Sequence, residues 1–540
     1  MIPRNTFPHT HHNLVQQYHA QYDADIASGK YQPLVYPWGT LGATIVIIYL
    51  LIPHRNRPWL RHARFVVFGV NVAHAAYTIK YVRAKNFAAA LGVGLISAWS
   101  LIWMLAILVC NDAQTDFQRM ERMGGVCGKS MIKLDREQEQ ERRELNESAH
   151  AHDGDQRSKE ANGFLKPPGP TSRHGQFAWQ PYPLSPFTER LDWVLDIFLN
   201  FRGAGWNWRT IATPPPPKPI QLELIKNSPN PPVHTFKSHP SQTHVYPTRR
   251  DLIIANLKTL ISGYLILDLC KTIIVHDPYF WGLIDAKPAP YIPFSATIVA
   301  HPALHRILRL AVSQFGIMWT LKSIFSLAPL FFSGILSPSL LGARAEPWIY
   351  PETWGSYSSV LDKGLAGWWS SWWHQTFRFA FEQPSRKIIQ VLGIDRKSQV
   401  AKLLQLVTAF ALSGLLHACG SYTSHGETYP LSGSMAFFLL QAVALFIEAF
   451  LRPYFVKTPL PQWLKRSLTF IYVHAWFYHA AVLLCDDFAR GGVWLFEPVP
   501  VSLFRGVLGL GVEGDGWWCW GESGLRWHRG RNWWMSGVAF

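Results

Sequence analysis

Apolar residues are grouped along this chain in runs long enough to cross a bilayer as helices. A membrane core of about 30 Å takes about 20 helical residues, and few soluble helices are apolar all round over that length. The six clearest runs are residues 34–53, 87–110, 252–275, 403–421, 432–451 and 466–485, and weaker ones are 65–79, 311–336 and 488–510. We therefore predict an all-α polytopic transmembrane helical bundle of about 7–9 spans.

Residues 111–250 interrupt this pattern because they are polar, charged and rich in proline. Within them, residues 134–163 contain almost no large apolar side chain, which is typical of a solvated helix or a disordered linker. The pattern divides the chain into N-terminal transmembrane segments (1–110), a charged loop region (111–250) and a membrane-embedded core (251–540), in which the most informative motifs occupy about 345–430.

The charge pattern fits a membrane protein better than a nucleic-acid-binding one. The formal net charge is +16, yet only 16% of residues are charged, and the basic residues mostly flank apolar runs. The positive-inside rule places the basic loop 54–64 and the 111–250 region in the cytosol. Lys80, Arg83 and Lys85 would then face the lumen, which conflicts with that rule.

His417 is the most informative polar position because it lies within the apolar segment AFALSGLLHACGSY (409–422). An ionisable residue at bilayer depth is costly, which favours a functional role, although a hydrogen-bonded structural histidine is an equal alternative. A neutral imidazole can accept a hydroxyl proton, as a general base must. We expect Gly414 and Gly420, which flank it, to leave room for a substrate.

A second candidate site is the tryptophan-rich segment GLAGWWSSWWHQTFRFAF (364–381). On a helix, His374 and Arg378 would share a face, with Trp369 and Trp373 near it. Stacked indoles beside a cation could hold a CoA thioester and its phosphates. The structural alternative is an aromatic anchor helix at the membrane interface.

Other polar positions carry weaker signals. Asp268 and Glu448 lie in apolar runs, where each could line a cavity or pair with a lysine or arginine. His474 and His479 are five residues apart, and HTHH (9–12) lies outside any apolar context, so we expect no metal site. The six cysteines form no CxxC pair, the N-terminus does not resemble a secretory signal, and no GxSxG, P-loop or dinucleotide fingerprint is present.

Several motifs together resemble the wax synthase-like branch of the membrane-bound O-acyltransferases, in its fungal secondary-metabolite form. WWHQTFR is followed some forty residues later by SGLLHACG on an apolar run. RLDWVLDIFLNFRGAGWNW (190–208) resembles a further element of those proteins, as do the tail segments 491–511 and 527–540. The 134–163 insert is longer and more charged than this family leads us to expect.

The resemblance implies a tunnel in which acyl-CoA from the cytosol meets an alcohol at a buried histidine. The family's histidine matches His417, and its second polar position matches His374. Trp369, Trp373, Arg378, Arg202 and Arg209 then become candidates for binding acyl-CoA. No bound cofactor or metal is implied, and the partners are the lipid bilayer, acyl-CoA and a small lipophilic alcohol.

The function expected from this resemblance is acetyl transfer from acetyl-CoA to a hydroxyl of a terpenoid or polyketide intermediate, in a multi-pass protein of the endoplasmic reticulum. Long-chain wax ester synthesis is an alternative within the same chemistry. A transporter of lipophilic metabolites and a non-catalytic scaffold docking through 111–250 are alternatives of other classes, and neither would require His417. A di-iron oxidase would contain iron.

Overall fold

The computed structural model describes residues 10–125, 176–228, 236, 239, 243–286, 295–521 and 525–539. The charged insert 134–163 lies outside these residues. Twelve helices of ten or more residues occur in the described part of the chain. In chain order they are His11–Ala27, Leu41–Leu51, Pro58–Tyr81, Phe87–Met104, Phe187–Leu199, Lys218–Asn227, Arg249–Ile274, Pro302–Pro329, Arg378–Val391, Gln399–Thr423, Ala436–Val456 and Gln462–Arg490.

Six helical segments of the described chain are long and apolar enough to cross a membrane, which confirms an integral membrane protein with an all-α fold. They are Phe87–Cys110, Arg249–Ile274, Pro302–Ile335, Gln399–Thr423, Leu431–Val456 and Gln462–Arg490. Counting either Trp38–Leu51 or Pro58–Tyr81 as a further span gives seven, and counting both gives eight, within the predicted 7–9. Apolar side chains project from the outer surfaces of these helices, as contact with lipid requires; examples are Ile261, Phe331, Phe446, Phe450 and Ile471.

Two of the nine predicted runs do not form long helices. Residues 34–53 contain only the short helix Trp38–Leu51, because Pro37 and Pro53 bound the apolar stretch and extended strand residues precede it. Residues 488–510 do not form one helix, since Gly492 adopts a left-handed conformation (φ 74°) just after the helix Gln462–Arg490 ends. The run 311–336, by contrast, belongs to a full-length helix.

The helix Phe87–Met104 is central to the fold, because the segment Phe87–Cys110 that contains it is the most buried of the six, with 56% of its most apolar stretch buried. Asn86 begins this helix by accepting a hydrogen bond from the backbone N–H of Ala89 (3.1 Å). Its main neighbour is Gln399–Thr423, which carries His417 and which we call the His417 helix. Ser398 caps that helix in the same way, through Ala401 (3.1 Å).

Part of the 111–250 region folds against this core rather than remaining a loop. The helix Phe187–Leu199 buries Trp193 completely, and the turn after it buries Trp206 completely. Positive φ angles at Gly203 (67°) and Gly205 (78°) form this turn, which explains two glycines of the RGAGW motif. The turn places Arg202 at the edge of the core.

Strands are few and short in the described residues. Arg119–Arg122 pairs antiparallel with Phe177–Gln180. Gly537–Ala539 lies between Val35–Tyr36 and Arg526–His528, antiparallel to both, so the tail is attached to the N-terminal part of the chain. The third sheet joins Gln32–Pro33 to Val82–Arg83 in parallel.

Candidate active site

The tryptophan-rich segment does not form the continuous helix that was predicted. A helical turn over Leu365–Gly367 continues as a π-helical turn over Trp368–Trp372, and Trp373 is extended (ψ 143°). The next helix begins only at Arg378. The prediction that His374 and Arg378 share a helix face is therefore wrong, because the chain leaves the helix one residue before His374.

Glu448 holds the start of this segment in place. Its carboxylate accepts hydrogen bonds from the backbone N–H groups of Leu365 (2.9 Å) and Ala366 (2.7 Å). These are N–H groups that no helical carbonyl satisfies, and a carboxylate at a helix N-terminus is favourable. Gly364 allows the approach, since a Cβ there would lie 1.9 Å from Glu448 Oε1.

Gln375 fixes the loop that carries His374. Its buried amide donates to the backbone carbonyls of Trp369 (2.8 Å) and Trp373 (2.6 Å). Its side-chain oxygen accepts a hydrogen bond from Arg378 (3.0 Å). One residue therefore joins the π-helical turn, the extended residue before His374 and the first residue of the following helix.

The His374 ring lies in a cage of aromatic side chains. Its ring centroid is 5.3–5.7 Å from those of Trp354, Trp373, Phe325 and Phe377. Nδ1 of His374 is buried and has no hydrogen-bond partner among the described residues.

The surroundings of this cage also determine the charge of the ring. Burial, then the nearby His417 and Arg202, lower the pKa of His374 to about 3. The ring is therefore neutral at physiological pH, and its unpaired nitrogen remains able to bond a ligand. Because His417 contributes to the shift, the structure places the two histidines in one electrostatic neighbourhood.

His417 lies on its helix with one ring nitrogen occupied. Nδ1 is 2.8 Å from the backbone carbonyl of Ser413. A carbonyl only accepts hydrogen bonds, so Nδ1 carries the proton and Nε2 presents a lone pair. No hydrogen bond to Nε2 occurs within the described chain, and the ring, which is partly exposed, stacks on Phe438 at 4.3 Å between centroids.

The glycines beside His417 have a packing role and do not leave open space. A Cβ at Gly414 would lie 2.6 Å from Met435 Sδ, and one at Gly420 would lie 3.0 Å from Leu91 Cδ1. The expectation that they make room for a substrate is therefore wrong. They let neighbouring helices approach closely, as small residues do in membrane bundles.

A cavity of about 490 Å³ lies beside the cage. Phe325 and Trp354 belong both to its wall and to the aromatic cage of His374, and Thr376 also lines it. The cavity wall includes neither His374 nor His417 themselves. Its size is within the range of small-molecule sites, and its lining combines apolar side chains with polar and charged ones, among them Arg202, Lys322 and Glu352.

The three candidate arginines differ in how their charges are balanced. Arg202 lines the cavity and donates to the carbonyls of Pro351 (2.8 Å) and Glu352 (2.9 Å), with no carboxylate partner among the described residues. Burial lowers its pKa to about 10, and its Nε is unpaired. Arg378, by contrast, pairs with Glu382 (2.6 Å). Arg209 donates to the carbonyl of Thr213.

Residues 350–440, which include His374, Arg378 and His417, match the sequence profile described as the Membrane bound O-acyl transferase family. Over this stretch the chain is similar to that family. The resemblance inferred from the motifs is thus confirmed for the segment that contains both histidines. That segment also contains Gln375 and part of the helix that bears Glu448.

Several curated fungal proteins are similar to part of this chain. Acetyltransferase ple2 of Rhodocybe pseudopiperita is 25% identical over 294 residues, covering 54% of this chain and 65% of that protein. O-Mevalon transferase macI of Penicillium terrestre is 26% identical over 277 residues, covering 48% and 53%. Acetyltransferase ataH of Aspergillus terreus is 30% identical over 179 residues, covering 31% and 56%.

These alignments span between about half and two thirds of the curated relatives. No solved structure matches the chain significantly.

Sequence patterns missed the residues that position the site. Glu448 was noticed as a charge in an apolar run, but its partners are two backbone N–H groups rather than a lysine or arginine. Asp268 is similar: it accepts from the Ser502 hydroxyl (2.5 Å) and the Leu503 N–H (2.7 Å). No signal in the sequence singles out Gln375.

Proposed function

We propose that this protein is an acyl-CoA-dependent O-acyltransferase that transfers an acetyl group to a hydroxyl of a small lipophilic terpenoid or polyketide alcohol. The observation that carries the proposal is the tautomer of His417, whose Nε2 is left as a base near a second neutral histidine within the acyltransferase segment. Two of the relatives are named acetyltransferases, which supports acetyl as the acyl group. The endoplasmic reticulum is the membrane we propose.

The proposed reaction is direct transfer in a ternary complex. Nε2 of His417 takes the hydroxyl proton while the alcohol oxygen forms a bond to the thioester carbonyl carbon. His374 donates a hydrogen bond to the carbonyl oxygen as negative charge develops there. The C–S bond then breaks, the ester is released, and the CoA thiolate recovers the proton from His417. Atoms and protons balance without a metal or bound cofactor.

The cavity of about 490 Å³ is where we place the lipophilic alcohol. Trp319, Trp354 and Phe325 provide its apolar wall, and the aromatic cage is the boundary it shares with His374. Exclusion of water from this region would protect the thioester from hydrolysis. We propose that the thioester approaches between the two histidines, beside Trp369 and Trp373.

Arg202 is better placed than Arg378 to bind an anionic part of acyl-CoA. Its guanidinium is buried beside the cavity and lacks a carboxylate partner in the described chain, whereas Glu382 neutralises Arg378. A charge-assisted bond contributes about 1.5–3 kcal/mol, so losing it raises KM about 10- to 100-fold. We expect Arg202→Gln to raise KM for acyl-CoA by this factor, and Arg386→Gln, at an exposed site, to leave it unchanged. Equal KM values for the two variants would contradict the assignment.

The base assignment is tested with His417→Gln and a matched control. His474 lies on another apolar helix and makes the same contact, Nδ1 to the Phe470 carbonyl at 2.8 Å. Microsomes containing each variant are assayed with acetyl-CoA, longer acyl-CoAs and a panel of terpenoid alcohols. We expect His417→Gln to lose at least about 10²-fold in kcat and His474→Gln to keep wild-type activity.

Each possible outcome of this assay separates the alternatives. Near-full activity in His417→Gln would refute the general-base role. Turnover of long-chain acyl-CoA with no turnover of acetyl-CoA would instead support the wax ester synthase. Absence of CoA release with every donor, combined with uptake of the alcohols into vesicles, would support a transporter.

A further inference from the structure

The first helix of the chain meets the C-terminal segment through side chains that carry metal-ligand atoms. His11 and His12 open the helix His11–Ala27, whose cap is Thr10. Their rings meet Asp515, which lies 503 residues after His12 in sequence. None of these residues belongs to the acyltransferase segment or its cavity.

The distances among these three residues suit a small metal ion. Nε2 of His12 is 2.9 Å from Oδ1 of Asp515, and Nε2 of His11 is 3.5 Å from the same oxygen. One ligand atom from each of the three residues can be chosen so that all lie within 4.8 Å of one another. Around tetrahedral zinc, with bonds of about 2.0–2.1 Å, ligand atoms are about 3.3 Å apart.

His11 provides independent evidence for a ligand. Its side chain is only 2% exposed, yet neither ring nitrogen has a hydrogen-bond partner within the described chain. A buried polar atom without a partner is destabilising, and such atoms are rare in folded proteins.

Asp515 is oriented toward the two rings. Its Oδ2 accepts the backbone N–H of Val512 (3.1 Å), which leaves Oδ1 directed at the histidines. Gly514 has a φ of 91°, and a Cβ there would lie 3.1 Å from the His12 ring, so the turn brings the backbone close to that ring.

Carboxylates balance the charges of the basic side chains beside this cluster. Arg505 lies 3.7 Å from Oδ1 of Asp515, but Glu497 pairs with it at 2.6 Å. Glu497 also lies 3.6 Å from Lys271. The carboxylates of Glu497 and Asp515 therefore balance the two basic side chains beside this cluster.

We propose that His11, His12 and Asp515 bind one Zn²⁺, with water as the fourth ligand, and that this ion joins the N-terminal helix to the C-terminal segment. Two imidazoles and one carboxylate are ligands that zinc accepts in tetrahedral sites. The ion has a structural role here, because the residues proposed for acyl transfer lie on other elements. The proposal does not depend on the proposed function.

Metal content of the purified full chain is the direct test. The protein is produced without a histidine tag, exchanged into detergent buffer with a weak chelator, and analysed by mass spectrometry for zinc. We expect one zinc per wild-type chain and less than a fifth of that in His12→Gln and Asp515→Asn. The control His62→Gln, at an exposed histidine elsewhere, should retain full zinc content.

A second measurement covers the case in which a variant is poorly folded. Metal-free wild type is titrated with Co²⁺, whose visible d–d bands report tetrahedral coordination, and its unfolding temperature is measured with and without Zn²⁺. We expect Zn²⁺ to raise the unfolding temperature of the wild type and of His62→Gln, but not that of His12→Gln. Wild type with no more zinc than His12→Gln, and no response to added metal, would overturn the proposal.

Discussion

At Gly94 the helix Phe87–Met104 closely approaches the backbone of the His417 helix, and substitution of this glycine tests how the site is supported. A Cβ at this position would lie 1.9 Å from the backbone oxygen of Cys419 and 2.3 Å from its carbonyl carbon. Ordinary contacts begin at about 3.4 Å, so Gly94→Ala must separate the two helices by about 1.5 Å. Backbone atoms cannot rotate away as a side chain does.

The cost of Gly94→Ala follows from this separation. Overpacking costs about 1–3 kcal/mol, and the hydrogen bond from the Gly94 N–H to the Thr423 hydroxyl (3.0 Å) contributes about 1 kcal/mol more. We expect a loss of about 3 kcal/mol in the free energy of unfolding. An unfolding entropy of about 2.1 cal/mol/K per residue converts this loss into a decrease of about 3 °C in melting temperature for a cooperatively unfolding chain of 540 residues.

Activity should respond more strongly than stability. His417 is two residues from Cys419 on the same helix, and a displacement of about 1 Å at a reacting group can cost about 10²-fold in rate. The matched control is Gly92→Ala, where the nearest side-chain atom to the new Cβ is Ile96 Cδ1, on the same helix, at 3.7 Å. Melting is followed by tryptophan fluorescence in detergent, and transfer by CoA release. Equal melting temperatures and rates for the two variants would refute the close helix contact.

Two further predictions concern the tryptophan-rich segment. Glu448→Ala should lower the free energy of unfolding by about 2–4 kcal/mol and reduce transfer, because it leaves the N–H groups of Leu365 and Ala366 without their acceptor. The control Glu427→Ala, at an exposed site, should change the free energy of unfolding by less than about 0.5 kcal/mol. Equal melting temperatures for the two variants would contradict the capping role of Glu448. Because the pKa of His374 is lowered to about 3 from about 6.5 in the unfolded chain, its contribution to stability is complete above pH 6.5 and falls by up to about 2 kcal/mol by pH 5. His374→Phe should therefore melt with a shallower pH dependence than the wild type between pH 7 and 5, and parallel profiles would refute the buried neutral histidine.

The sequence predicted the membrane helices well because bilayer thickness imposes a length that can be counted. The segment 87–110 matches the helix Phe87–Cys110 at both ends. The failures have local causes: prolines shorten the helix within 34–53, and a left-handed glycine follows the helix end at Arg490. Neither hydropathy nor periodicity registers such backbone constraints.

The candidate site was predictable in composition but not in arrangement. His374 and His417 were identified from motifs, and both lie in the acyltransferase segment. The break at Trp373 was not predictable, because it depends on Gln375 binding two carbonyls across a π-helical turn. Periodicity assumes a continuous helix, so it placed Arg378 beside His374 instead of within its pair with Glu382.

Hydrogen-bonding capacity separates the polar residues of the apolar helices into two groups. Asp268 and Glu448 use their carboxylates to accept from the first N–H groups of helical turns, so the charge of each is accounted for by the fold. His417 uses Nδ1 in its own helix and leaves Nε2 without a partner in the described chain, and His374 leaves Nδ1 unpaired. Because an unpaired polar atom in such a place is costly, these two nitrogens are where a reacting hydroxyl and a carbonyl oxygen gain most from binding.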